Sequence, residues 1–178
     1  MNGTCSIWLA TNAAMLLAGH SDMGGLALGL RRTGLHADDG WMTPSVSTAG
    51  CAGSWARILE VRGEAGRDTS FFVNALYSHM NIDRDGASAL ADSKPFPDAH
   101  YRANYTHERL KAWGAFGNVS QVVDKLRAFR CSGCQRVTSR LSTMKNPFDQ
   151  LRCAIEEVLP AVNAELSNPL SLESMINA

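Results

Sequence analysis

The sequence predicts an α/β fold in which four strands alternate with helices. Short apolar runs rich in β-branched and aromatic residues recur along the 178 residues, and each is followed by a turn and a longer amphipathic stretch. A hydrophobic content of 45% is that of a chain with a globular core. Strands that alternate with helices form a parallel sheet or a barrel, so ligands are expected in the loops after the strands.

Charge and cysteine content narrow the class of protein. Lys plus Arg and Asp plus Glu each number 17, which gives no general attraction to nucleic acid or to an anionic membrane. The apolar stretch from Ser6 to Gly19 has no Lys or Arg before it and contains Asn12, so we interpret it as structural rather than as a signal. Five cysteines at irregular spacing indicate reduced thiols and a cytoplasmic protein.

The first two units are a strand at Ser6–Ala10, a helical stretch from Ala13 to about Arg32, and a very short strand at 41–42. A helix follows from 47 or 48, where either Ser47 or Thr48 can cap it. Gly66 suits the left-handed position that ends this helix.

The third unit begins with the strand Ser70–Ile82, which is rich in aromatic and β-branched residues. A helix is predicted from Asp85 to Lys94, where Pro95 and Pro97 stop it. A further helix from His107 to about Phe116 is capped by Thr106.

The fourth unit has the clearest signals. Asn118 and Gln121 predict a capping box at the start of a helix that Gly133 ends. The segment 135–142, "QRVTSRLS", is the fourth strand, and Asn146 followed by Pro147 starts the last helix. The expected buried stripe of that helix is Phe148, Leu151, Ile155, Val158 and Leu159.

The pair Cys131 and Cys134 allows three interpretations: a zinc ligand pair, a redox motif or a structural turn. No second pair of ligands occurs at comparable spacing, as a zinc site requires. The pair follows a helix carboxyl end, where the helix dipole opposes a thiolate. The pattern favours the turn.

Four stretches, in one order, carry a resemblance to a known family. They are "IWLATN", "LHADDGWM", "EAGRDTSFFVNALYSHMNID" and "LKAWGAFGNVSQVVDKLRAFRCSGCQRVTSRL". They resemble the passages around strands five, six, seven and eight of the luciferase-like monooxygenase family, whose members are flavin- or deazaflavin-dependent oxidoreductases built on a (β/α)8 barrel.

The resemblance implies a partial (β/α)8 barrel in which residues 1–165 form about four carboxyl-terminal β/α units with parallel strands and 166–178 a frayed tail. A complete barrel needs about 250 residues. We therefore expect a fragment that lacks the amino-terminal half, with Met1 as an internal start or a truncation. Its open sheet edges predict self-association or pairing with a complementary half-barrel chain.

The implied activity is oxidation of a small organic substrate with FMN or with coenzyme F420, a deazaflavin. A flavin reductase is an implied partner, and the residues nearest the chemistry belong to the missing half. The alternative is a non-catalytic remnant or interaction module without tight cofactor binding. A zinc or redox protein that uses Cys131 and Cys134 ranks last.

Candidate cofactor residues follow from matching the family passages. Backbone N–H groups after the first strand suit a phosphate, although Asn12 can equally be a helix cap. A Trp on the second strand can line the pocket or pack in the barrel, and Arg140 can bind an anion or form an ion pair. The full predicted set is Ala10, Thr11, Asn12, Ala13, Trp41, Thr43, Ser45 and Arg140.

His79 is the one candidate for acid or base chemistry. Together with Tyr77 it lies on the opposite side of its strand from Ser78 and Met80, near the strand's carboxyl end. A single His in this setting is more often a packing residue, and that interpretation is favoured. The residues His100, Tyr101 and Tyr105 are expected in a long loop, where they receive no role.

Overall fold

The computed structural model describes residues 6–10, 40–44, 46–70, 72–143 and 145–166, and in them five strands form one sheet. All the strand pairs are parallel. The strands are β1 Ser6–Ala10, β2 Gly40–Pro44, β3 Val73–Ile82, β4 Ala115–Gly117 and β5 Arg136–Leu141.

Helices follow the strands along the chain. They are α1 Thr48–Glu64, α2 Gly86–Ser93, α3 Pro95–Tyr101, α4 His107–Trp113, α5 Val119–Cys131, α6 Pro147–Cys153, a π-helical turn at Ala154–Val158, and α7 Leu159–Leu166. The helix expected between 13 and 32 lies outside the described residues. Among the described helices, none is long and apolar enough to cross a membrane.

The predicted helix ends are confirmed where their chemistry is strongest. Ser47 caps α1 by accepting from the Gly50 N–H at 3.1 Å. Asn118 and Gln121 form the reciprocal capping box of α5. Gly66 and Gly133, which follow α1 and α5, take left-handed φ values of 65° and 87°.

Strand β3 is paired along both edges. One edge pairs with β5, from Ala75 opposite Arg136 to Met80 opposite Leu141. Strand β2 pairs with residues 73–77 of β3, and β4 pairs with residues 80–82. Strand β5 pairs with some of the same β3 residues as β2 does, and with Met80, which also pairs with β4. Since β5 occupies one edge of β3, β2 and β4 must both lie on the other edge, one beyond the other.

Strand β1 pairs with β5, so the order across the sheet is β1-β5-β3-β2. Consecutive strands are neighbours in a complete barrel, so a fifth-strand segment would lie beside β2. Strand β1 therefore does not lie at the position in the sheet that its resemblance to a fifth barrel strand implies. Pairing with β1 satisfies the backbone groups along the edge of β5 that β3 leaves open.

The parallel strands with helices outside them form a partial (β/α)8 barrel, as predicted. Leu76 and Met80 of β3, with Val137 and Leu141 of β5, face the helices and are buried in the main core cluster. Phe129 of α5 is fully buried in the same cluster. Alternate residues of these strands therefore face the other side of the sheet, which we call the inner face.

Two boundaries differ from the sequence prediction. Pro95 ends α2 but also begins α3, because proline is well tolerated at the first position of a helix. His100 and Tyr101 therefore lie on a helix, not in a loop. Helix α4 stops at Trp113, and Ala115–Gly117 forms β4, which the sequence analysis missed.

The predicted buried stripe of the last helix is wrong at two positions. Phe148 is 84% exposed and Ile155 is 50% exposed. The buried positions recur instead at every fourth residue. Residues at this spacing shift gradually around the surface of an α-helix, because an α-helical turn has only about 3.6 residues. The wider π-helical turn at Ala154–Val158 brings them back to one face. They are Gln150, Ala154, Val158 and Val162.

We expect the substitution Gly117→Ala to destabilise the protein by about 2 kcal/mol. Gly117 has a φ of 143°, and an added Cβ would overlap the Gln121 side chain, coming within 2.8 Å of its Cβ. The change therefore strains the backbone and displaces half of the α5 capping box. Urea denaturation followed by circular dichroism measures the loss.

The matched control is Gly53→Ala within α1, where an added Cβ meets nothing within 4 Å. This substitution should stabilise the protein by about 0.5–1 kcal/mol, because alanine loses less backbone entropy in a helix. Equal effects of the two substitutions would contradict the assignment of strain to Gly117.

Candidate functional site

The inner face carries a cluster of aromatic and cationic side chains near the carboxyl ends of β3 and β5. Tyr77 and His79 lie opposite Thr138 and Arg140 in the strand register. Their neighbours Leu76 and Met80 face the helices, so Tyr77, His79 and Arg140 share the inner face. Barrel enzymes bind their ligands at this end of the sheet.

Helix α3 covers this cluster with aromatic rings. The His79 ring lies 6.3 Å from that of Phe96 and 5.9 Å from that of Tyr101, measured between ring centroids. His100 stacks on Phe96 at 5.9 Å. We call the six residues of the cluster the Arg140 site; they are Tyr77, His79, Phe96, His100, Tyr101 and Arg140.

Arg140 is the dominant charge of the site. The residue is only 8% exposed, and its guanidinium lies over the rings of Tyr77 and Phe96 at 5.7 and 5.6 Å. Its Nη1 is 2.9 Å from Nε2 of His100, while its Nε is buried without a hydrogen-bond partner. No carboxylate forms a salt bridge with Arg140 in the described part of the chain. A buried guanidinium that has an unbonded N–H and no carboxylate partner favours binding of an anion.

His100 acts as an acceptor toward this charge. A guanidinium has only donors, so Nη1 donates to an unprotonated Nε2 of His100. Burial, followed by the charge of Arg140, lowers the pKa of His100. The imidazole is therefore neutral at physiological pH, and it leaves the charge of Arg140 uncompensated.

His79 is fully buried beneath α3. Its Nδ1 lies 2.6 Å from Oγ of Ser142, and its Nε2 lies 3.4 Å from the hydroxyl of Tyr101. Burial, followed by the charge of Arg140, lowers its pKa to about 4. Enclosure and hydrogen bonding at both nitrogens agree with the packing interpretation, and a catalytic role for His79 stays a prediction.

Two tyrosine hydroxyls complete the polar part of the site. Burial raises the pKa of Tyr77, and burial together with Tyr77 raises the pKa of Tyr101 to about 12. Both hydroxyls therefore stay protonated and can donate a hydrogen bond. The site offers donors and a cation but no anionic side chain.

The structure does not bring Trp41 and Thr43 together with Arg140. Trp41 stacks on Trp55 of α1 at 6.5 Å, so it faces the helix layer. Thr43 lies opposite Leu76 in the register and is buried. Their alternation along β2 puts both on the side of the sheet opposite the inner face, which leaves their cofactor role a prediction.

Of the other predicted cofactor residues, Ala10 lies directly opposite Arg140 in the register of β1 and β5. Strand β1 therefore ends beside Arg140. Thr11, Asn12, Ala13 and Ser45 lie outside the described residues.

A second polar cluster lies just past the ends of β3 and β5. The Asp92 carboxylate accepts from Nδ2 of Asn81 at 2.9 Å and from Oγ1 of Thr143 at 2.7 Å, and it pairs with Lys145 at 2.8 Å. Burial raises the pKa of Asp92, but these three partners outweigh burial and lower it. Asp92 therefore ties α2 to the end of β5, and it lines a cleft of about 580 Å³ with Asp83 and Arg84.

The two cysteines of the Cys-x-x-Cys pair occupy different environments. Cys131, the last residue of α5, is exposed, whereas Cys134 is buried and donates to the Arg136 carbonyl at 2.9 Å. Cys134 also lowers the pKa of the buried Cys51 to about 7, and an Asn74 bond adds to this effect against burial. Nowhere in the described ranges do three His, Cys, Asp or Glu side chains converge as a metal site would require.

The sequence analysis found Arg140, Tyr77 and His79 but missed the role of α3. Phe96 and His100 reach the site only because Pro95 starts a new helix beside β3. The i,i+4 spacing of Phe96 and His100 was the available signal, since it puts both rings on one helix face.

These features define a partial (β/α)8 barrel with a cationic, aromatic-lined site at its ligand end. No protein-family model and no curated protein matches the chain. Solved structures do match, and they include members of the luciferase-like monooxygenase family, so the predicted likeness is confirmed at the level of the fold.

One match is an F420-dependent secondary alcohol dehydrogenase in complex with an F420–acetone adduct, with a TM-score of 0.61 and 16% identity over 76% of this chain and 46% of that one. Another is the coenzyme F420 dependent tetrahydromethanopterin reductase from Methanopyrus kandleri, with a TM-score of 0.55 and 17% identity over 71% and 46%. DmoA from Hyphomicrobium sulfonivorans matches with a TM-score of 0.53 and 11% identity over 83% and 40%. This chain thus spans less than half the length of these proteins.

We expect the free energy of unfolding to fall as the pH drops from 6.5 to about 4, the ordinary and the folded pKa of His79. The unfolded chain takes up a proton at His79 over this range, whereas the folded chain keeps the ring neutral. Above this range His79 is neutral in both the folded and the unfolded chain, so its full contribution to the free energy of unfolding is present. The loss on acidification is on the order of 3 kcal/mol.

Urea denaturation at a series of pH values measures this dependence. His79→Gln should flatten it, because glutamine keeps hydrogen-bonding groups but does not titrate. His100→Gln is measured alongside, since the pKa of His100 is also lowered. The exposed His107 supplies the control, and His107→Gln should change the slope less than His79→Gln does. An unchanged slope in His79→Gln would refute the burial argument.

Proposed function

We propose that this chain is the cofactor-holding part of a flavin- or deazaflavin-dependent oxidoreductase of the luciferase-like monooxygenase type. The observation that carries the proposal is Arg140, a buried guanidinium without a carboxylate at the ligand end of a parallel sheet. Phosphate and carboxylate groups of FMN or of coenzyme F420 supply the anion that this residue lacks.

The side chains of the site fit such a group. Arg140 has an unpaired Nε, and Tyr77 has a protonated hydroxyl on the same face. The rings of Tyr77 and Phe96 offer flat apolar surfaces beside the cation. When bound, the cofactor supplies hydride or oxygen chemistry that no side chain of this site provides. The residues of the chain bind its anionic part, orient it and exclude water.

The matched structures support the cofactor class, since two of them are F420-dependent enzymes. The choice between FMN and F420 stays part of the proposal. We infer that the substrate is a small organic molecule and that the residues nearest the chemistry belong to the part of a complete barrel that this chain does not cover. A flavin reductase as partner and a cytoplasmic location stay predictions.

Purified chain should quench the fluorescence of FMN or of F420 when titrated at micromolar concentration. Arg140→Ala should weaken the affinity at least about tenfold, because it removes the cation. The affinity of Arg140→Lys should lie between the affinities of the wild type and Arg140→Ala, because lysine keeps the positive charge but lacks the planar guanidinium group. The control Arg152→Ala removes an exposed Arg on α6 and should change nothing.

Failure of folded wild-type chain to bind either cofactor would refute the proposal. That result would favour the alternative function, a non-catalytic remnant or interaction module.

We also propose that the chain associates with a second copy or with a complementary half-barrel. Among the described residues, β1 and β2 each have one strand neighbour, so each presents an open edge of backbone donors and acceptors. Sedimentation velocity should show dimers or larger species whose fraction grows with protein concentration. A folded chain that stays monomeric at all concentrations would contradict this expectation.

A further inference from the structure

We propose that an oxyanion, either a carboxylate or a tetrahedral anion such as phosphate, binds between Arg140 and His100, and that its binding loads a proton onto His100. This inference deepens the proposed function, because it rests on the same anion site. It assigns to His100 a binding role that the sequence pattern does not give.

The bond between the two side chains sets the starting state. Nη1 of Arg140 and Nε2 of His100 are 2.9 Å apart, and only an unprotonated Nε2 can accept from a guanidinium. Protonation of His100 in the absence of an anion would break this bond and bring two cations together. Burial and the neighbouring charge of Arg140 together lower the pKa of His100 and keep the imidazole neutral.

The other groups that face this pair do not supply a negative charge. On β3, His79 is neutral and Tyr77 is protonated, and on α3 Tyr101 is protonated. Asp98 lies on α3 but is engaged elsewhere, since it pairs with Lys94 and accepts from the Tyr105 N–H at 2.8 Å. No carboxylate in the described part of the chain therefore contacts Arg140 before an anion binds.

The geometry allows an oxyanion to reach the pair. His100 is exposed at the surface of α3, whereas Arg140 lies behind it with its Nε unpaired. An oxyanion with two free oxygens can bond Arg140 and the His100 ring together, provided that Nε2 carries a proton to donate. The anion then separates the two cations and favours the protonated form of His100.

The consequence is coupling between anion affinity and pH. Because binding takes up at most one proton, the affinity should rise by up to about tenfold for each unit by which the pH falls through the range where free His100 is neutral. Below the pKa of free His100 the dependence should end.

Isothermal titration calorimetry of the full chain tests this coupling between about pH 5 and about pH 8. Sulfate serves as the tetrahedral probe and acetate as the planar one, because neither titrates over most of this range. Titrations in two buffers with different ionisation enthalpies give the number of protons taken up. Wild-type chain should take up close to one proton near neutral pH with at least one of the two probes.

The variants separate the roles of the two residues. His100→Gln keeps an acceptor for Arg140, so it should still bind the anion at high pH but with no proton uptake. Arg140→Ala should lose binding at every pH. His107→Gln, which changes an exposed His outside the site, should behave as wild type.

Binding without proton uptake in the wild type, unchanged uptake in His100→Gln, or no binding of either probe would overturn the inference. Uptake of a proton with sulfate or acetate in a chain that binds neither FMN nor F420 would support the inference and refute the proposed cofactor function. Binding of FMN or F420, with no proton uptake on binding of sulfate or acetate, would support the proposed function and refute the inference.

Discussion

Strand β3 is hydrogen-bonded along both of its edges, and this double pairing decides which side chains can form a site. Because β5 runs beside it from Ala75 to Met80, the register between the two strands cannot slip without turning Leu76 and Met80 out of the core. The same register puts His79 opposite Arg140 on the inner face. The burial of the core side chains thus also fixes the geometry of the Arg140 site.

The electrostatics of the site follow from this enclosure. A guanidinium in water needs no partner, but one that is 8% exposed has lost most of its hydration. Aromatic rings and a neutral imidazole recover part of that loss, while an anion would recover more. Burial is the largest cause of the lowered pKa of His79 and His100 and of the raised pKa of Tyr77 and Tyr101. The charge of Arg140 adds to this effect on the two histidines and opposes it on the two tyrosines.

Local signals in the sequence predicted local structure well. The capping box at Asn118 and the left-handed glycines depend on a few adjacent residues, so they could be read directly. The neighbour of β1, the short strand β4 and the exposure of Phe148 depend on contacts between distant segments. In the last helix, Gln150 bonds to the Ile82 backbone and sets which face is buried, which apolar spacing alone cannot reveal. For the site, the alternation along β3 found Tyr77 and His79, but the cover provided by α3 depended on how Pro95 redirects the chain.

The way in which α3 is held decides how a ligand can enter. Asp98 pairs with Lys94 at one end of the helix and accepts from the Tyr105 N–H beyond the other end, and Pro97 is buried beneath it. Movement of the whole helix would break these contacts and expose the rings of Phe96 and Tyr101. Rotation of the exposed His100 side chain breaks only the hydrogen bond to Arg140 and the ring contacts with Phe96 and Tyr101. The second route costs less free energy, because a hydrogen bond or an aromatic pair contributes only about 1 kcal/mol net. Among the described residues, rotation of His100 is therefore the less costly route to Arg140, and the same residue is placed to share the anion that we propose.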